Sequence, residues 1–231
     1  MIGWLIGKVY EALFTSPDVG IRRAHILSKI LLLVVSFLMV AHGLRFSLVL
    51  LAVLCVVIAI GGFKYALKSM IIVSSIPATW LALTGFIVSY TIKGYIDKVI
   101  ILEIFTRTIT ISLSIALFIA SLSPYELSNI LWRLGFRNTC IIPIALWRLT
   151  PMALKDMVEA YNVQKLKGES IWKALAIATA SMLEHRDFML EYNFYKLSTS
   201  LAKPIPYKHN LTTTLLLVLA SIVLITLLLI Q

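Results

Sequence analysis

The sequence predicts an all-α integral membrane protein, and three observations carry that prediction. Hydrophobic residues make up 60% of the 231-residue chain and charged residues only 14%, which is outside the range of water-soluble domains. Five apolar stretches reach or approach the roughly 20 residues that a helix rising 1.5 Å per residue needs to cross about 30 Å of hydrocarbon. Between residues 123 and 210 the character changes: this segment holds 11 of the 21 Lys and Arg and 7 of the 11 Asp and Glu, a net charge of +4. The chain therefore divides into residues 1–122, an amphipathic insert 123–210 and a last apolar segment 211–231.

Residues 1–15 read as an interfacial helix. Ile2, Leu5, Ile6, Val9 and Leu13 fall on one face, with Lys8 and Glu11 away from it. A secretory leader does not fit, because Glu11 interrupts the apolar run and no small-residue cleavage site follows. The expected spans are about 26–41, 46–63, 70–90, 99–122 and 211–230. The first is short and must borrow Ser28, Lys29 or His42 at its ends, with the lysine snorkelling to water.

Orientation follows from the bases. Lys8, Arg22, Arg23 and Lys29 precede the first span, Lys64 and Lys68 lie between the second and third, and the insert carries 11 more. Five spans put these three segments on one side, which the positive-inside rule makes cytoplasmic, and leave the C-terminus outside. Topology and contact with the lipid bilayer account for the net charge of +10, and basic and aromatic residues do not interleave as in a nucleic-acid groove.

The insert is punctuated into three helices. Ser123, Pro124 and Glu126 supply an N-cap, a proline at the first helical position and an acid at the third, and Gly135 stops this helix. The second starts near 138 or 139 and runs to Lys167-Gly168, with Pro151 in its interior as an expected kink. Glu169 opens the third, which reaches about residue 201 ahead of Pro204 and Pro206. On it Ala174, Ala178 and Ser181 give a line of small residues suited to close helix crossing.

Each charged constellation has a structural reading beside a functional one. Lys167-Gly168 is a basic last turn followed by a residue free to adopt the left-handed conformation, as helix ends require. Arg186 lies among Glu184, His185, Asp187 and Glu191, and the like-charge pair Asp187 and Glu191 weakens an isolated helix. Such a cluster is either a solvated face or one whose compensating charges come from a partner. Within the fourth span Glu103 and Arg107 are spaced for an ion pair near the outer interface or for contact with a membrane partner. Cys55 and Cys140 offer no disulfide framework. The four histidines, His25, His42, His185 and His209, lack metal-site spacing, so no metal or cofactor is expected in this chain. Phosphate-loop, nucleophile-elbow and HExxH motifs are absent from the sequence.

Pro124-Tyr125-Glu126-Leu127, Leu134-Gly135, Ala145-Leu146-Trp147-Arg148-Leu149-Thr150-Pro151, Gln164-Lys165-Leu166-Lys167-Gly168 and Met182-Leu183-Glu184-His185-Arg186 occur in that order. Together they resemble the transmembrane T component of energy-coupling factor (ECF) transporters, the family that includes the transmembrane subunit of cobalt importers. The resemblance covers about residues 22–230 and is most specific over 124–188. It implies a non-catalytic energy-coupling subunit of an ABC-type importer for a vitamin or a transition-metal ion. The implied partners are two cytoplasmic ABC-type ATPase subunits, where ATP and Mg would bind, and a small membrane substrate-binding subunit.

The family docks its ATPases through two Ala-Arg-Gly motifs. By position these fall on Leu166, Lys167 and Gly168, and on His185, Arg186 and Asp187. Both depart from the pattern: Lys167 keeps the charge without the planar fork of a guanidinium, and Asp187 replaces glycine with a bulky anion. The alternatives are a membrane-embedded enzyme using Glu103, Arg107 or the 184–187 cluster, and a self-sufficient channel along the Ser and Thr of the third and fourth spans.

Overall fold

The computed structural model describes residues 2–14, 20–93, 98–136, 139–140, 142–168, 170, 172–173, 176–177, 179–180, 183 and 208–230. Among these residues the chain is all-helical, with no strand. The helices whose bounds lie within the described residues follow in order: α1 (Ile2–Phe14), α2 (Ile26–Ala41), α3 (Leu44–Ile60), α4 (Lys64–Lys93), α5 (Lys98–Ser121), α6 (Pro124–Arg133), α7 (Ile142–Leu166) and α8 (Leu211–Leu229), with a 3-10 turn at Gly20–Arg23. The chain divides into two compact units, residues 11–122 with 208–231, and residues 1–10 with 123–207.

The first unit is an apolar bundle. α4, α5 and α8 are long and apolar enough to cross a membrane, whereas α2 and α3, with 16 and 17 residues, are shorter apolar helices. In the most apolar windows of α4, α5 and α8 only 11%, 22% and 17% of residues are buried inside the protein, so most of each helix's apolar surface faces outward. Helices apolar on every side need hydrocarbon rather than water around them. α5 packs against α2, α3 and α4, and α8 packs against α2 and α3. The core where these meet contains Val35, Met39, Leu50, Leu54, Ile58, Leu113, Leu117, Leu217 and Leu224.

Small hydroxyl residues let these helices approach closely. Ser36, Thr106, Thr110, Ser114 and Ser221 are buried, and each hydroxyl donates to the carbonyl four residues earlier, at 2.7–2.9 Å. Only Thr110 also reaches a neighbouring helix among these five, at 3.4 Å from the Ser47 carbonyl. A void bounded by α2, α5 and α8 measures about 10 Å³, close to a single water. These five hydroxyls are thus helix-packing groups bonded to backbone.

The 3-10 turn closes one end of the bundle and depends on two glycines. The Ile21 amide donates to the Gly61 carbonyl at 2.9 Å, and the Asn210 amide donates to the Arg23 carbonyl at 2.9 Å, so the turn ties the end of α3 to the start of α8. Gly20 has φ +66°, and a Cβ there would fall 2.0 Å from the Gly61 carbonyl oxygen. A Cβ on Gly61 would fall 1.9 Å from Ile21 Cδ1. No larger residue fits either position without moving backbone.

One expectation is corrected in this region. Lys29 does not snorkel: it is 3% exposed, and its Nζ donates to the Arg22 carbonyl at 2.9 Å. Arg22 is also buried, with Nε donating to the Ala120 carbonyl at 3.1 Å. Two of the bases counted for orientation therefore fasten the turn to α2 and α5. Glu11, expected off the apolar face of the first helix, has a partner on another helix. Its Oε2 accepts from buried Ser69 Oγ at 2.6 Å and ties α1 to α4.

Candidate functional site

The second unit contains α6, α7 and the first residues of α1. Pro124 opens α6 at the first helical position, as its fixed φ favours. Ser123 has N-cap backbone angles, but its hydroxyl makes no capping bond and is buried without a hydrogen-bond partner, so the expected serine cap is backbone only. Gly135 ends the segment as expected. With φ +89°, its amide bonds to the Trp132 carbonyl and the Phe136 amide to Leu131, the paired bonds of a Schellman motif.

α7 begins at Ile142, later than the expected 138 or 139, because residues 139–140 form a turn in which the Cys140 amide bonds to Phe136 and the Ile142 amide to Thr139. Pro143 is then its second residue, where a missing N–H costs nothing. Pro151 lies in the interior as expected. It lines a groove of about 370 Å³ together with Met152 and Lys155 of α7 and Gly7 and Tyr10 of α1.

The tip of α7 carries the first candidate coupling motif. Gln164 and Lys165 are in the last helical turn, Leu166 is 89% exposed, and Lys167 and Gly168 are exposed beyond it. The Lys167 amide still bonds to the Val163 carbonyl at 3.1 Å, and Gly168 takes φ +71°. A Cβ on Gly168 would meet nothing within 4 Å, so glycine is needed here for its backbone angle rather than for space. Among the described side chains of the tip, one cation, Lys167, stands beside one large uncovered leucine.

The second candidate motif, Glu184, His185, Arg186 and Asp187, lies outside the described residues. Described positions of the expected third helix, from 172 to 183, are helical. Trp172 among them is 81% exposed and Leu183 56%. The charge-based reading passed over Trp172, although an aromatic four residues beyond a helix-ending glycine was a visible signal.

Glu103 and Arg107 do form the expected i,i+4 ion pair on α5, with Arg107 Nη2 2.5 Å from Glu103 Oε1 and each side chain about one-third exposed. Arg107 Nη2 also lies nearest to where a Cβ on Gly43 would stand, at 3.8 Å, so the guanidinium sits beside the turn between α2 and α3. Its Nε is buried without a hydrogen-bond partner.

Sequence spacing separated the histidines, but the fold brings two together. His25 and His209 ring centroids are 4.8 Å apart, and His25 Nδ1 caps α2 by accepting from the Leu27 amide at 3.2 Å. Among the described residues no group of three His, Cys, Asp or Glu is arranged to hold a metal. Comparison of the chain with protein-family models, with curated proteins and with solved structures found no match.

Proposed function

We propose that this chain is a transmembrane energy-coupling subunit of an ECF-type importer, which links two cytoplasmic ATPases to a small substrate-binding membrane subunit for uptake of a vitamin or a transition-metal ion. The observation that carries this reading is the tip of α7, where a 25-residue helix presents Leu166, Lys167 and Gly168 uncovered, in a unit separate from the apolar bundle. A cation beside an exposed apolar side chain suits a groove on another protein, with the apolar contact supplying area and the charge supplying orientation.

In this reading all five apolar helices cross the bilayer. α2 and α3 would span about 24–26 Å and rely on flanking residues or local thinning of the bilayer. The N-terminus and the unit containing α6 and α7 face the cytoplasm, and the C-terminus lies outside. Closure of the ATPases on nucleotide would push on the motifs ending at Gly168 and around Arg186. α7 would carry that displacement along its length, with Pro151 as the point where it bends. The chain itself would have no catalytic role.

The test is affinity capture of the tagged chain from mild detergent, followed by mass spectrometry. The expected result is recovery of two ATP-binding subunits and a small membrane protein with the wild type, and loss of the ATPases with the double variant Lys167→Glu, Arg186→Glu. Undiminished ATPase recovery with that variant would overturn the reading.

A further inference from the structure

We infer that the groove between α3 and α8 is a binding site for one anionic glycerophospholipid, with an acyl chain along the groove and the phosphate held at the Arg23 end. The inference rests on the bundle lying in a bilayer and is independent of the coupling role. The groove holds about 330 Å³ and is floored by Ala52, Val56 and Ile60 of α3 and by Leu216 and Ala220 of α8. Ala52 and Ala220 are short enough to leave the depression, and Val56 and Ile60 are 55% and 66% exposed. With an apolar floor and an open side, its natural filling in a membrane is a hydrocarbon chain.

What sets this groove apart is the charge at one end of it. α3 ends at Ile60 and α8 begins at Leu211, and the backbone bonds from Ile21 to Gly61 and from Asn210 to Arg23 hold both ends against the 3-10 turn. The segments meeting there, residues 20–30, 60–68 and 208–216, contain six Lys and Arg and no acidic residue. Arg22 and Lys29 are buried, whereas Arg23, Lys64, Lys68 and Lys208 are exposed. An exposed cluster of four bases, set at the mouth of an apolar groove, matches a negatively charged headgroup on a hydrocarbon tail. A zwitterionic headgroup would place its own cation among these bases, and a membrane helix docked in the same groove would leave them without counter-charge.

The experiment is native mass spectrometry of the delipidated full chain, titrated with phosphatidylglycerol and with phosphatidylcholine of identical acyl chains. The expected result is one phosphatidylglycerol retained about five-fold or more tightly than phosphatidylcholine. Arg23→Gln should reduce that preference, and Ala220→Phe should weaken retention of both lipids by filling the groove. Equal retention of the two lipids by the wild type, or a preference that survives both substitutions, would overturn the inference. A measurement on the unsubstituted chain guards against misfolded variants: phosphatidylglycerol carrying a diazirine in its acyl chain should label peptides covering 52–60 and 216–220. Labelling spread evenly over other outward faces, such as that of Trp80, would overturn it. So would a co-purifying membrane protein cross-linked through those peptides in place of lipid.

Discussion

The two units of this protein are stabilised in different ways. Among the described residues, the apolar side chains buried in the unit of α6 and α7 are Pro124, Cys140 and Ala153, and all the other buried apolar side chains belong to the bundle. The bundle also buries Arg22 and Lys29 against backbone carbonyls, while α7 carries its Lys155–Glu159 pair in the open, with 75% and 64% of the two side chains exposed. A region with a dense core resists change at its packed positions. The described residues of the α6 and α7 unit are held through helix ends and turns, and much of their surface is exposed.

Glycine substitutions give the largest expected contrast between the units. Gly61→Val in the bundle would drive a side chain into Ile21 and the Val57 carbonyl, and should cost about 3 kcal/mol or more, read as a large fall in Tm or as loss of folded protein in detergent. Gly135→Ala in the other unit meets nothing within 4 Å and suffers only its positive φ, so about 1 kcal/mol is expected in the same assay. Equal effects would mean that the two units do not differ in packing as described.

Next in size is Lys29→Met, which keeps the apolar stem but leaves the Arg22 carbonyl without its Nζ donor. A loss of about 1–3 kcal/mol is expected. A neutral result would return Lys29 to the snorkelling role that its position near a span end suggested. Smaller still are the ion pairs. Glu103→Gln should cost about 1 kcal/mol, because Arg107 is held beside the turn between α2 and α3 with its Nε already unbonded, whereas Glu159→Gln on exposed α7 should cost about 0.3 kcal/mol. Chemical denaturation of both variants separates the two cases. A comparably small change, within about 0.5 kcal/mol, is expected for Lys167→Glu at the uncovered tip of α7. A large loss there would mean that Lys167 supports the fold rather than serving contact with a partner.

Some helix limits set by local chemistry were legible in the chain, whereas Lys64 and Lys68, expected between two spans, lie within α4. The stretch expected to start at Ile26 and end at Ala41 is α2 with those limits, because apolar runs bounded by polar or glycine residues carry their boundaries with them. Pro124 at the start of α6, Gly135 after its end and the Gly168 closure of α7 follow from single-residue backbone preferences. Of the candidate coupling residues, the exposure of Leu166, Lys167 and Gly168 agrees with a helix ending in water. Pro77 inside α4 was equally readable and was passed over within an apolar run.

Composition and periodicity by themselves determined that this is an all-helical protein with helices suited to a membrane, since hydropathy and turn chemistry act over a few residues and need no knowledge of neighbours. Only the tertiary structure decided that Lys29 turns back to Arg22, that Glu11 holds Ser69, that Gly20 and Gly61 nearly touch, and that His25 stands against His209. Each of these joins residues on different elements. Their side-chain directions depend on which helices pack together, and the spacing of residues along the chain carries no such information.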